Sequence, residues 1–267
     1  MTQSFETAYA AAKEHARKVF PEESCGFVVD GEYIPVQNQA ADPAVHDEES
    51  NTCPCRLCSF KISSADRAKY LGSAQMILHS HPNGPVFPSR PDMEGQIATA
   101  VPWGIIALDE ERIGEPEIWG DQLPVSPLLG RSFMHGIRDC YSLIRDTFRL
   151  GREGLAEQDI TQNWPLDPIL LKDVPRDDAW WDQADDFYGL LPPSYGWKEI
   201  KMEEAMPGDV FLIKIRSQKF NHAGVLVDQD LIMHHLPERF SRREPAGLWA
   251  RQAGRWLRYT GEVTADA

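Results

Sequence analysis

The sequence has no uninterrupted apolar run near the roughly 18 to 20 residues that cross a bilayer, which excludes a membrane-spanning helix. Its longest apolar stretch, around Gly104 to Leu108, suits a buried strand instead. The first twenty residues contain no apolar h-region, because Glu6, Lys13, Glu14, Arg17 and Lys18 interrupt the alanines. They read as no Sec signal peptide, so neither export by that route nor membrane insertion is expected. Cysteine is scarce and odd in number, five in 267 residues, which excludes a disulfide scaffold and suggests a reducing compartment. Basic charge is also short, 27 Lys+Arg against 41 Asp+Glu for a formal net charge of −14. A nucleic-acid partner would lack the basic footprint that phosphates require. Hydrophobic residues at 42% and aromatics at 10% leave neither a disordered chain nor a fibrous repeat.

What is present fits two domains, given a prior of about 150 residues each. Residues 1–125 carry 9 basic and 19 acidic side chains, net −10, leaving 18 and 22, net −4, for the rest. Between the two compositions lie Pro124, Pro127 and Gly130, with little periodicity around them. The expected boundaries are a domain over 1–122, a linker over 123–132 and a domain over 133–267. Each half alternates helices and strands in an α+β manner. The first reads as a helix over 3–20, a hairpin of Cys25–Val29 and Tyr33–Val36, and a long polar loop over 38–58. A helix over Ala65–Tyr70, a strand over Met76–His79, a helix from Asp92 to Ala100 and strands at Trp103–Leu108 and Glu117–Trp119 follow. The second opens on an amphipathic helix over Asp139–Leu150. Strands at Val210–Ile215, His222–Val227 and Leu231–His235 come later, and the tail over 251–267 is expected to fray.

Residues 79–92 read His-Ser-His-Pro-Asn-Gly-Pro-Val-Phe-Pro-Ser-Arg-Pro-Asp. Two histidines at i and i+2 on a strand point to one face, so both rings can reach one ion. Asp92, at a helix start after a turn-rich loop, can return a carboxylate to them. Three protein ligands with an open fourth position form the catalytic zinc pattern, and Glu23 is a candidate base for the attacking water. This run resembles the JAMM motif of the JAB1/MPN/Mov34 metallopeptidases. Pro21-Glu22-Glu23-Ser24-Cys25-Gly26 resembles the segment that carries that family's upstream glutamate. The resemblance covers roughly residues 5–120 and implies a mixed sheet with flanking helices. It implies one zinc ion on His79, His81 and Asp92, Glu23 as proton acceptor, and Ser89 as hydrogen-bond donor to the developing oxyanion.

Cys53, Cys55 and Cys58 are left over from that pattern. With His46 as a fourth ligand they would hold a second, structural zinc, against which stand free thiols or an adventitious disulfide.

Asp139-Cys140-Tyr141-Ser142 opens the first long helix of the second half. A cysteine there meets the positive end of the helix dipole, which favours thiolate. His222 begins a strand and His234 lies on the next, placed to sit across from it. Cys, His and an orienting third group form the constellation of a papain-type nucleophile. Asp139-Cys140, Pro207-Gly208-Asp209-Val210-Phe211, His222-Ala-Gly-Val and Met233-His234 resemble the NlpC/P60 cell-wall peptidases in order and spacing, over about residues 130–240. The resemblance implies a papain-like fold with Cys140 as nucleophile, His222 as its base and His234 as the orienting residue. Tyr-Ser after the cysteine departs from the family's Ser-Gly. His235 points to the opposite face and reads as structural. Trp164, Trp180, Trp181 and Trp197 read as core rather than as a wall-binding groove.

A JAMM-like half followed by an NlpC/P60-like half resembles the tail-tip proteins of lambda-like siphophages. That order implies cleavage of peptidoglycan stem peptides near the D-Glu–diaminopimelate bond by the second half, and processing of a tail protein by the first. Other phage tail-tip proteins would be its partners, in the host cytoplasm during assembly and then in the tail tip of the virion. Two alternatives stand beside it. One is an assembly protein in which one or both sites do not turn over. The other, an isopeptidase for a ubiquitin-like tag, leaves Cys140 unexplained.

Overall fold

A computed structural model describes residues 5–46, 53–178, 180, 188 and 195–261. Trp181, part of the loop at 47–52 and the tail from 262 onward lie outside the described residues. Among the described residues, no helix is long and apolar enough to cross a membrane. The chain forms two compact units, Met1–Pro124 and Val125–Ala267. Residues 125–132, read from sequence as linker, are built into the second unit. Leu128 is fully buried in its core, Arg131 pairs with Asp146 at 2.6 Å, and Ser241 donates to the Leu128 carbonyl.

The first unit is a five-stranded mixed sheet in the order β2-β1-β3-β4-β5. Its strands are β1 (Cys25–Val29), β2 (Glu32–Val36), β3 (Met76–Pro82), β4 (Trp103–Leu108) and β5 (Glu117–Trp119). Only the β3–β4 pair is parallel. Helix α1 (Glu6–Val19) buries the stripe Ala8, Ala12 and Ala16. Side chains this small let it lie close on Val28, Met76, Leu78 and Ile106. The alternation of β3 sends Ile77, His79 and His81 to the other face. There α3 (Arg90–Thr99) is tied to β4 by Trp103 Nε1 donating to Thr99. The short α2 (Ser64–Tyr70) is capped by Ser63. β3 runs three residues beyond the expected His79, so both histidines lie on one regular strand, as their i, i+2 spacing requires.

The second unit is a six-stranded antiparallel sheet in the order β10-β9-β8-β7-β11-β6. Its strands are β6 (Trp197–Ile200), β7 (Val210–Ile213), β8 (His222–Asp228), β9 (Leu231–His234), β10 (Arg242–Pro245) and β11 (Arg255–Tyr259). Helix α4 (Cys140–Glu157) covers one face through Leu143, Ile144 and Phe148, against Leu212, Ala223, Val225 and Met233. Phe211, Ile213, Leu226 and Ile232 point the other way, toward α5 (Ala246–Gln252). Gly151, at φ +60 beside Pro168, kinks α4; a Cβ there would lie 2.5 Å from the Pro168 nitrogen. Trp164, Trp180 and Trp197 are buried in the α4-side core, as read from sequence. The expected frayed tail is in part a correction: Arg255–Tyr259 is a strand held between β6 and β7. Its arginines are spent on partners, Arg255 on Glu199 at 2.8 Å and Arg258 on Asp209 at 2.7 Å.

Candidate active sites

In the first unit the strand and the helix start converge as the motif requires. His79 Nε2 and His81 Nε2 lie 3.1 Å apart, and Asp92 presents Oδ1 to His79 and Oδ2 to His81, each at 3.3 Å. All three side chains are buried and could hold one metal ion. The donor set fits zinc on a further observation: His81 Nδ1 lies 2.8 Å from the Pro85 carbonyl. That bond keeps the ring proton on Nδ1 and leaves Nε2 with its lone pair toward the ion. Asp92 is locked by a capping box, accepting from both the amide and the hydroxyl of Ser89, at 2.8 and 2.6 Å. Ser89, expected to hold an oxyanion, therefore spends its hydroxyl proton on Asp92.

The electrostatics of this pocket favour a cation. Burial opposes ionisation of Asp92, yet His79 and His81 outweigh it and hold the carboxyl well below the usual range. Burial works against His81⁺ as well, but Asp92, Glu23 and the Pro85 carbonyl bring its pKa up to about 8. Deeply buried His79 is pushed down. Glu23 is buried immediately before β1, and burial, opposed by His81 and assisted by Asp92, raises it to about 8. Its backbone is held on both sides, the N–H donating to Arg56 at 2.7 Å and the carbonyl accepting from Asn38 at 3.0 Å.

The other three cysteines converge too. The His46 ring and the sulfurs of Cys53, Cys55 and Cys58 form a second group whose ligand atoms lie within 4.8 Å of one another.

In the second unit the expected trio divides. Asp139 caps α4 through Ser142 N–H at 2.8 Å, so Cys140 occupies its first turn as expected. Its thiol hydrogen-bonds with Tyr188 Oη at 3.3 Å and with the backbone N–H of Ala223, the neighbour of His222. Among the described residues no hydrogen bond joins Cys140 to His222. The alternation of β8 explains this: Ala223 and Val225 join the core under α4, while His222 and Leu226 face α5. His222 is bonded instead to His234, Nε2 to Nδ1 at 3.1 Å, and His234 Nε2 lies 3.5 Å from Glu244. His234 pairs across the sheet with Gly224, two residues from His222, so the rings meet diagonally rather than face to face. Gly224 is required there, since a Cβ would sit 3.0 Å from that of His234 and inside the Phe211 ring. Trp249 packs on His234 with ring centroids 4.3 Å apart and donates to Glu244. One set of tautomers satisfies the chain. His234 donates to Glu244, His222 donates to His234, and His222 Nδ1 keeps a basic lone pair.

The expected thiolate is not found. Burial, reinforced by Asp139, pushes the Cys140 thiol up to about 11, and the donors Tyr188 and Ala223 offset this only in part. Desolvation outweighs the helix N-terminus. Burial and His234 take His222 down to about 3. The resting pair is a neutral thiol and a neutral imidazole.

Sequence reasoning missed Arg176, Tyr188, Glu244 and Trp249. Arg176 is buried and pairs with Asp139 at 2.6 Å, with Asp173 at 2.9 Å and with Ser142 Oγ at 2.6 Å. The Tyr-Ser departure after the nucleophile serves that segment: Tyr141 Oη donates to the Lys172 carbonyl and Ser142 accepts from Arg176. Only Glu244 carried a signal, as a carboxylate close after His234. His235 packs edge-on against Phe133 with ring centroids 5.1 Å apart, near enough that its charge would push His222 down.

Comparison with known proteins fits this two-site geometry. Residues 6–119 match the prokaryotic homologs of the JAB domain, and residues 125–254 match the NlpC/P60 family. The chain is 29% identical over 258 residues to tail tip assembly protein K of Escherichia phage N15, covering 93% of each. It is 28% identical over 207 residues to tail tip assembly protein K of Escherichia phage lambda, covering 73% of this chain and 90% of that one. The first unit is thus similar to prokaryotic JAB domains, the second to the NlpC/P60 family, and the chain as a whole to the tail tip assembly proteins K of these two phages.

Proposed function

We propose that this chain is a two-site peptidase of a phage tail tip, hydrolysing a peptide or isopeptide bond in its first unit and peptidoglycan stem peptides in its second. The observation that carries the reading is the convergence of His79, His81 and Asp92 beside the buried carboxyl of Glu23. A zinc ion, if held by those three side chains, would supply Lewis acidity for the attack of water. Glu23, near neutrality in its titration, takes up a proton and returns it to the leaving amine. Pro85 and Ser89 hold His81 and Asp92 in place. In the second unit Cys140 attacks the stem-peptide carbonyl and His222 Nδ1 accepts the thiol proton. His234 and Glu244 fix the ring, the amine leaves with that proton, and water then hydrolyses the thioester on Cys140 to release the acid and restore the thiol. Bonds between such groups tighten only when substrate is bound, which suits a resting thiol held by Tyr188.

One observation favours a second reading, an assembly protein whose thiol site does not turn over. Cys140 is protonated, 6% exposed, and bonded to Tyr188 rather than to His222. Incubation with peptidoglycan fragments separates the two. Stem-peptide cleavage lost in Cys140→Ala and indifferent to a chelator is the expected result. No cleavage by the wild type would leave the assembly role.

A further inference from the structure

We infer that His46, Cys53, Cys55 and Cys58 bind a structural zinc that fixes the wall of the first active site, holding the general base Glu23 and the ring of His79 in place. The donor geometry supports the ion. In a zinc tetrahedron with Zn–S of about 2.3 Å and Zn–N of about 2.0 Å, sulfurs lie about 3.8 Å apart and sulfur and nitrogen about 3.5 Å apart. His46 Nδ1 lies 3.5, 3.4 and 3.2 Å from the sulfurs of Cys53, Cys55 and Cys58. The sulfurs of Cys55 and Cys58 are 3.8 Å apart, and those of Cys53 and Cys55 are 3.2 Å apart. All four ligand atoms lie within 4.8 Å of one another, and none of the cysteines is in a disulfide. Three soft thiolates and one imidazole select zinc over magnesium or calcium.

Residues 41–46 and 53–59 meet through two backbone bonds, Ala41 N–H to Pro54 and Arg56 N–H to Ala41. The Cys55–Cys58 turn closes with Cys58 and Ser59 N–H on the Cys55 carbonyl. From that turn the contacts run inward. The Arg56 carbonyl accepts the Glu23 N–H, and its guanidinium pairs with Glu22 at 3.0 Å. Asn38 bridges the carbonyls of Glu23 and Ser59, both at 3.0 Å. Phe60 stacks on His79 with centroids 4.6 Å apart. A metal clamp on Cys55 and Cys58 thereby restrains residues on either side of the hydrolytic pocket. The coupling rests on the peptidase reading of Glu23; the metal site does not.

The full-length chain tests both parts with zinc and cobalt alone as probes. Two zinc ions per chain are expected. Cobalt should give a near-ultraviolet thiolate charge-transfer band that vanishes in Cys58→Ser and persists in His79→Ala. Hydrogen exchange at the Glu23 amide should speed up by about tenfold or more when the thiolate site is emptied. So that the test does not hang on the folding of Cys58→Ser, the exchange is also read on wild type titrated with a chelator until the thiolate band is lost. A folded wild type that binds cobalt with no thiolate band overturns the site. Loss of the band with unchanged exchange at Glu23 overturns the coupling. Failure of the peptidase reading shows separately, as full hydrolysis by Glu23→Gln with the band and the exchange unmoved.

Discussion

The two active sites are both buried, and burial opposes charge in both, yet their neighbours answer it differently. In the first unit His79 and His81 outweigh burial and keep Asp92 ionised, while burial raises Glu23 to about 8. In the second it removes charge, with the Cys140 thiol near 11 and His222 near 3. The first site is assembled before anything binds. In the second, Cys140 is bonded to Tyr188 and His222 to His234. The first site thus keeps a carboxylate charged between its histidines, while burial leaves the thiol and imidazole of the second neutral.

The largest effect that tests this contrast is Glu23→Gln. Chelator-sensitive amide hydrolysis should fall by about 10²–10⁴-fold. Zinc on His79, His81 and Asp92 should remain, as read by metal analysis; loss of the metal would mean Glu23 is a ligand rather than a base. Next is Arg176→Ala, which leaves Asp139 charged and unpaired in the second unit. It should cost about 3–5 kcal/mol in urea unfolding followed by tryptophan fluorescence. An unchanged midpoint would show that the nucleophile's helix does not depend on this pair.

Acid should separate the units in a further way. Burial lowers His222 to about 3, and lowers His234 to about 4 against the pull of Glu244. The unfolded chain then binds protons that the folded one refuses, so this contribution is complete above about pH 6.5 and is lost as pH falls toward those values. Asp139 has the same sign over a lower window. Burial would raise it, Arg176 prevails, and its pKa of about 2 gives stability present above about pH 4 and lost below. The midpoint for the second unit should therefore fall between pH 6.5 and 4.5, and His222→Gln should flatten that slope. The smallest effect is at Tyr188→Phe. Its phenol lowers the Cys140 pKa, so the thiol should titrate higher and react with iodoacetamide a few-fold more slowly at fixed pH. An unchanged rate would mean the phenol does not donate to the sulfur.

Much of the first unit is legible along the chain because its site is local. His79, His81 and Asp92 sit within fourteen residues, and strands such as Cys25–Val29 and Trp103–Leu108 are apolar runs with the bounds expected of them. The second unit is not local. Arg176, Tyr188 and Glu244 reach the helix start and the histidine pair from segments without periodicity. β11 hides behind Arg255 and Arg258, whose charge reads as tail until Glu199 and Asp209 are seen opposite. The thiolate expectation failed for a related reason. A helix N-terminus is visible in sequence, but the burial that outweighs it is a property of the packed core.

Asp139 has one more consequence. It starts the helix that carries Cys140, and its charge also helps keep the neighbouring sulfur protonated. A protonated, enclosed sulfur is a poor target for peroxide and for disulfide exchange, because both reactions proceed through thiolate. The residue that starts the helix thus also shields the sulfur beside it from oxidation.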